Sequence, residues 1–328
     1  MAQSAAMWRL IDRTGAFLAL PLVPGSRTRF GDLLLITFFT VHAALDVVKS
    51  TVNWALGWDA LIYTDAARAM LAGQDAWGPA GGAALFAGPP PSLLPYFALV
   101  WLPDPIIASG STAVAAMAGV YILRKLQLPP WWLLFPPVLV AILAGSSALL
   151  ATALIVRGGA IAEGAAVALR AYTVVPLAIL GRWRALAVAA AIAVVTAPFL
   201  DWPRFLSKLD TIRAVLDDQT GGGKSAAAIP VLIPIAVACL LLLGRRRAAW
   251  LIVPALWPYS QTYYAVLALP IIAEAPLVAV ALAIDWPAIV VAGLVAQIIV
   301  ERLLRDRRLA WRSARAGEAP PLPSAAPD

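Results

Sequence analysis

From Leu33 to Val300 apolar runs follow one another with only short polar interruptions, and this succession limits the folds open to the chain. Hydrophobic residues fill 62% of the 328 positions and charged residues 13%. A water-soluble domain holds about half and about a quarter, so the sequence belongs in a membrane. The pattern predicts an all-α polytopic bundle of about ten to twelve transmembrane or half-membrane helices, with an amphipathic helix in the first external loop. Residues 1–310 read as one bundle, with external segments at 53–92 and 201–227. Residues 311–328, rich in Pro and Ala, read as a disordered cytoplasmic tail.

The net charge of +7 would suit nucleic acid, but the basic residues fall at the ends of apolar segments, where they orient a membrane protein. Nucleic acid is therefore excluded as a partner and membrane lipids are included. Arg9, Arg13, Arg27 and Arg29 precede the first long apolar run, Leu33 to Val52, and no small-residue cleavage site follows it. They read as an uncleaved cytoplasmic lead-in. Arg124-Lys125, Gly181-Arg182-Trp183-Arg184, Arg245-Arg246-Arg247 and the basic stretch from Glu301 to Arg308 mark the same side. Both termini are then cytoplasmic, in a multi-pass protein of the cell membrane. Cys239 is the one cysteine and lies in an apolar run, which leaves neither a disulfide framework nor a cysteine metal site.

Charge is sparse enough that each polar cluster asks for a reason. His42, Asp46 and Lys49 share one helical face, either as an internally satisfied stripe or as part of a site. The first external segment gathers Asp59, Asp65 and Asp75 around a predicted helix, Ala60 to Ala72, stopped by Gly73. Asp59 stands where a helix N-cap would, so capping alone could account for it; Asp65 and Arg68 can pair on the helix surface. Leu93 to Pro103 is too short to span and reads as re-entrant or interfacial, and Ile106 to Leu123 then crosses. Gly145-Ser146-Ser147, Arg157-Gly158-Gly159 and Arg170-Ala171-Tyr172 break the next apolar stretch into short helices. Arg170 falls at an external turn between apolar runs, a position for binding phosphate or for snorkelling to the interface.

The second external segment carries apolar residues at Phe205, Leu209, Ile212 and Leu216, the period of an amphipathic helix lying on the membrane surface. Gly223-Lys224-Ser225 imitates a phosphate loop, but Asp218 stands where the first glycine is required and no strand precedes it. A linker, or a glycine-rich lid over a site, fits better. Trp257 to Tyr264 then presents a polar and aromatic cluster on the side of Asp59, as an interface belt or as part of a site.

Three fragments in order resemble glycosyltransferase family 87 of the GT-C superfamily. They are Asp59-x-x-x-Tyr63-x-x-Ala66-Ala67-x-x-x-Leu71-x-Gly73 with Pro89-Pro90 and Leu102-Pro103; Arg170-Ala171-Tyr172 through Pro176-Leu177 to Arg182-Trp183-Arg184-Ala185-Leu186; and Pro258-x-Ser260-Gln261-x-x-Tyr264 with Leu269-Pro270. The resemblance implies a GT-C-like fold and a mannosyltransferase-like activity. Such an enzyme takes a hexose, mannose in the first place, from a polyprenyl-phosphate sugar donor and passes it to a lipid or glycan acceptor on the non-cytoplasmic face. It carries the catalytic aspartate onto Asp59 and the phosphate-binding cation onto Arg170, where the family usually has Lys. Tyr63, Asp65, Tyr172, Ser260, Gln261, Tyr263 and Tyr264 become the expected substrate-binding residues. The family usually has His at the position of Tyr263. No metal or other cofactor is assigned.

The chemistry fits these residue types on its own terms. Glycosyl transfer to a hydroxyl needs a carboxylate base and a cation for the departing phosphate, and a single carboxylate acting through the acceptor predicts inversion. A transporter or lipid flippase, and a non-catalytic relative, are the other readings of broken helices carrying intramembrane charge.

Overall fold

The computed structural model describes residues 30–53, 56–77, 86–220 and 223–317. Among them every regular element is helical. In chain order these are α1 (Phe30–Asn53), α2 (Trp58–Leu71), α3 (Leu94–Phe97), α4 (Asp104–Lys125), α5 (Pro136–Leu143), α6 (Ser147–Arg157), α7 (Ala160–Leu169) and α8 (Val174–Ile179). There follow α9 (Trp183–Thr196), α10 (Trp202–Ser207), α11 (Leu209–Thr220), α12 (Ile233–Leu243), α13 (Arg245–Leu256), α14 (Leu269–Ile272), α15 (Pro276–Ile284) and α16 (Pro287–Gly317).

Two of them are long and apolar enough to cross a membrane, α4 and the Pro287–Leu304 part of α16. A third span arises if α5 and α6, which meet at 118°, count as one. Proline and glycine explain why the other apolar stretches are shorter. Pro136, Pro276 and Pro287 sit at helix starts, where the missing N–H costs nothing. Gly158 and Gly244 follow the ends of α6 and α12 with positive φ. Large apolar side chains remain uncovered by protein, Trp101, Ile161, Phe199 and Leu241 each being more than three-quarters exposed.

The main core lies between α5, α13, α15 and the 3-10 turn Thr262–Ala268, with Phe39, Phe135, Leu149, Leu251, Leu269 and Ile272 fully enclosed. At one end of α13, Arg247 makes a two-toothed bond to Glu301 (2.6 and 2.7 Å), which also accepts from Gln297 at 2.7 Å. Glu274 pairs with Arg246 and Arg247. This network fastens α13 to α16 at its arginine-rich end. The opposite end of α13, twelve residues and about 18 Å away, delivers Trp257 to the functional cavity.

The segments expected to be external form a cap apart from that core. Trp77 is fully buried, donates from its indole to Gly88 O at 3.0 Å, and packs on Phe86 and Phe205. The expected amphipathic helix is two helices, α10 and α11, interrupted at Lys208. Most of its apolar face is covered by protein. Phe205, Ile212 and Leu216 pack onto the cluster around Tyr63, Trp77 and Tyr96, and Leu209 alone stays open. Lys208 reaches Asp75 at 3.0 Å and Arg204 reaches Gln74 O at 3.2 Å, which fixes this docking. Periodicity reports that a helix has an apolar face, not which surface covers it.

At the C-terminus α16 continues to Gly317, so residues 311–317 are helical where a disordered tail is expected. The Ala and Arg of this stretch are strong helix formers that extend the preceding span. The arginine-rich lead-in, the side chains of Asp46 and Lys49, and residues 318–328 lie outside the described residues. His42 turns its Nδ1 to Phe38 O (3.0 Å) and its ring onto Phe38, a local contact within α1.

Candidate functional site

The site is built around the break between α5 and α6. The backbone N–H groups of Gly57 and Asp59 donate to Leu143 O (2.8 Å) and Ala144 O (3.0 Å), so the start of α2 is pinned on the end of α5. The same turn passes close against Ala108 of α4, which is possible because position 57 is glycine. Its φ is +70°, and a Cβ there would stand 2.4 Å from Ala108 Cα. Helix α2 accordingly begins at Trp58, two residues earlier than the pattern predicts, with Gly57 at the N-cap. Asp59 is therefore inside the first turn and caps nothing. Its side chain is buried and points across the break.

Across the break, Ser146 caps α6 by accepting from Ala148 N at 3.2 Å. Arg170 arrives from α7, where an extended backbone (φ −143°, ψ 99°) ends the helix and turns the side chain inward. Its Nε donates to Ser147 Oγ at 2.8 Å, and its Nη2 donates to Ser146 Oγ at 3.0 Å and to the Asp59 carboxylate Oδ2. Asp59 and Arg170 are 111 positions apart in sequence and both about 95% buried. A buried charge must be paired, and breaking such a pair costs about 3–5 kcal/mol. Among the described residues the second carboxylate oxygen, Oδ1, keeps only the Tyr263 hydroxyl at 3.5 Å, the outer limit of a hydrogen bond.

Aromatic rings enclose the pair. The guanidinium carbon lies 4.9 Å from the Tyr63 ring centroid and 5.6 Å from that of Tyr263, within cation–π range. Burial pushes the Tyr63 hydroxyl well above its ordinary pKa, more than the Arg170 charge lowers it, so the phenol stays protonated. Tyr172 stacks on Tyr264 at 4.2 Å. Together these residues line a cavity of about 250 Å³ that Trp58, Gly88, Leu169, Leu216, Trp257 and Gln261 complete. Drug-sized ligand sites run to roughly 300–1,000 Å³, so this one suits a head group and not a whole long-chain lipid.

Asp59, Arg170, Tyr63, Tyr172, Gln261, Tyr263 and Tyr264 are thus brought to one cavity, as expected. Two expected residues are not. Asp65 faces outward, held with Asp104 on Arg68 at 2.9 Å each, because it lies on the outer face of α2. Ser260 is buried behind the wall, accepting from Lys224 N at 3.1 Å. That bond, Lys224 N to Ser260 O (2.9 Å) and Ser225 Oγ to Trp257 O (2.7 Å) dock Gly223–Ser225 on the Trp257 segment. The described end of the glycine-rich stretch is therefore anchored, neither a phosphate loop nor a free linker; Gly221 and Gly222 lie outside the described residues.

Ser146 and Ser147 are the residues that sequence reasoning missed, having been read only as a helix break. Two consecutive hydroxyls after a glycine inside an apolar run were the available signal. Among the described residues no group of three or more His, Cys, Asp or Glu side chains is placed to hold a metal. No protein-family model matches the chain, and neither the curated proteins nor the solved structures include a match.

Proposed function

We propose that the chain is a polytopic membrane glycosyltransferase of the family 87 kind, moving a hexose from a polyprenyl-phosphate sugar to a lipid or glycan hydroxyl. The observation that carries this reading is the buried meeting of Asp59 and Arg170 in the wall of an aromatic cavity. The apolar faces left uncovered by protein and the two helices able to cross a membrane support a lipid environment.

In this reaction the acceptor oxygen attacks the anomeric carbon, the bond from that carbon to the phosphate oxygen breaks, and the acceptor proton passes to Asp59. Oδ1 is the oxygen suited to that task, since Oδ2 belongs to Arg170. The negative charge growing on the leaving phosphate is met by the guanidinium, which stays charged at any working pH. The aromatic rings give the sugar flat apolar faces to lie against. One carboxylate acting on the acceptor inverts the anomeric centre.

The test is release of polyprenyl phosphate by the purified protein given polyprenyl-phosphate hexoses and membrane lipid acceptors. Asp59→Asn should lower turnover by about 10²–10⁴-fold while the protein still folds, at a lower melting temperature, because Asn accepts from Arg170 but leaves its buried charge without a counter-ion. Undiminished turnover would remove Asp59 from the chemistry.

One observation favours a second reading. The 118° bend with charged-group ligands at the break resembles the interrupted helices of carriers. A carrier would move an intact lipid or solute across vesicles with no glycosidic bond cleaved.

A further inference from the structure

At the end of α13 away from the cavity, arginines gather around a glycine turn that the transfer reaction does not use. Helix α8 ends in this turn, closed by Gly181 N to Ala178 O at 3.0 Å and Arg182 N to Leu177 O at 2.9 Å, with Gly181 at φ +73°. Arg245, the first residue of α13, is laid over it, its Nε donating to Ile179 O at 2.6 Å. Its Nη2 then stands 3.0 Å from the point a Cβ on Gly181 would occupy, and the indole Nε1 of Trp183 stands 3.9 Å from the same point. Two nitrogen donors, one charged and one neutral, thus meet over a residue that has no side chain.

Neither donor is used within the protein. Trp183 is 66% exposed and Arg245 is exposed, and among the described residues no acceptor meets Trp183 Nε1 or Arg245 Nη2. Arg182 and Arg184 flank them and are also exposed. Among the described residues the one ion pair these arginines make is Arg182 with the buried Glu163, at 3.9 Å, so the cluster keeps a net positive charge. Helices α9 and α13 both begin with cations and no acid, the opposite of what their dipoles favour, and helix stability does not account for these residues. Orienting a membrane chain asks for positive charge at such an end, but not for a guanidinium tied down beside an indole.

Uncovered apolar side chains adjoin the cluster in the chain. Leu241 and Leu242, 77% and 58% exposed, come just before the Gly244 turn into Arg245, and Ile161, 79% exposed, precedes Glu163 on α7. A matching ligand has an anionic head for the donors and hydrocarbon for these side chains. Free phosphate would leave the hydrocarbon surface bare, and a zwitterionic lipid would bring its own cation against the arginines.

We propose that the Gly181 turn binds an anionic phospholipid, whose phosphate accepts from Arg245 Nη2 and Trp183 Nε1 while Arg182 and Arg184 favour a head group with no balancing cation. The site is distinct from the cavity and does not depend on sugar transfer. No bond is made or broken in it.

The experiment titrates phosphatidylglycerol carrying a fluorescent acyl chain with the full chain in non-ionic detergent, read by anisotropy. Unlabelled phosphatidylglycerol, phosphatidylcholine and inorganic phosphate are the competitors. The variants are Arg245→Ala; Trp183→Phe, which keeps an aromatic ring and loses the N–H; and the double change Arg124→Ala with Lys125→Ala, which removes two exposed cations at the end of α4. Arg245→Ala should weaken binding about fivefold or more and Trp183→Phe about 2- to 10-fold, while the α4 double variant stays within about twofold of the wild type. Phosphatidylglycerol should displace the label at concentrations where phosphatidylcholine and inorganic phosphate do not. A loss in the α4 variant as large as that in Arg245→Ala would make the attraction a diffuse one and overturn the site. So would phosphatidylcholine or inorganic phosphate competing as well as phosphatidylglycerol. Arg245→Ala also releases the Ile179 carbonyl, so Trp183→Phe, at an exposed position where the melting temperature should hold, decides independently of folding: undiminished binding there would remove the proposal. The titration involves no turnover, and its result stands apart from the transferase reading.

Discussion

Arg170 and Asp59 have unequal consequences when changed, because each leaves a different group behind. Arg170→Ala strands a carboxylate in a dry site and should cost about 3–5 kcal/mol of stability, seen as a lower melting temperature in detergent. Tyr263 occupies the position where the resembled family usually has His, and its hydroxyl stands 3.5 Å from Asp59 Oδ1. A contact that long contributes little, so Tyr263→Phe should change turnover less than about tenfold; a larger loss would make the hydroxyl part of the proton path. At this scale the sequence was readable where charge was rare. Asp59 and Arg170 stand out in a chain with 13% charged residues, whereas Ser146 and Ser147 look like an ordinary turn until the guanidinium is seen between them. Asp65 misled because a carboxylate near the right motif says nothing about which face of the helix it occupies.

Helix α2 owes its position to the short segment before it. Gly57 and Gly73 share nearly the same φ, +70° and +71°, but a Cβ at Gly57 meets the backbone of Ala108 while one at Gly73 meets nothing within 4 Å. Gly73→Ala should therefore cost only the backbone strain of about 1–3 kcal/mol. Gly57→Ala adds a collision and should cost more, and it should also depress turnover by displacing Asp59 two residues on. Equal melting temperatures for the two variants would mean that the close approach of α2 and α4 is not needed. The helices themselves were largely legible. α1 covers the expected Leu33 to Val52, and α4 covers Ile106 to Leu123. The docking of α10 and α11 on the first external segment was not, because an apolar stripe is satisfied equally by lipid and by protein.

Considered whole, the described molecule has a basic end, where Arg245, Arg246 and Arg247 begin α13, and an opposite end that holds the cavity and the cap. If the chain is the membrane enzyme we propose, the positive-inside rule expects the first in the cytoplasm. An impermeant maleimide added to intact cells should label Asp65→Cys and spare Arg246→Cys, both positions being exposed; Cys239 is buried and should stay silent. The reverse pattern would invert the protein and move the cavity to the nucleotide-rich side. The separation of the two buried charges also bears on how the protein is made. Ribosomes add about 5–20 residues per second, so the 111 positions from Asp59 to Arg170 take roughly 6–22 s to emerge. For that interval the carboxylate has no counter-ion and no dry place to go. The newborn first loop must wait in water, and the pocket can close only once α7 and the arginine that follows it have been made.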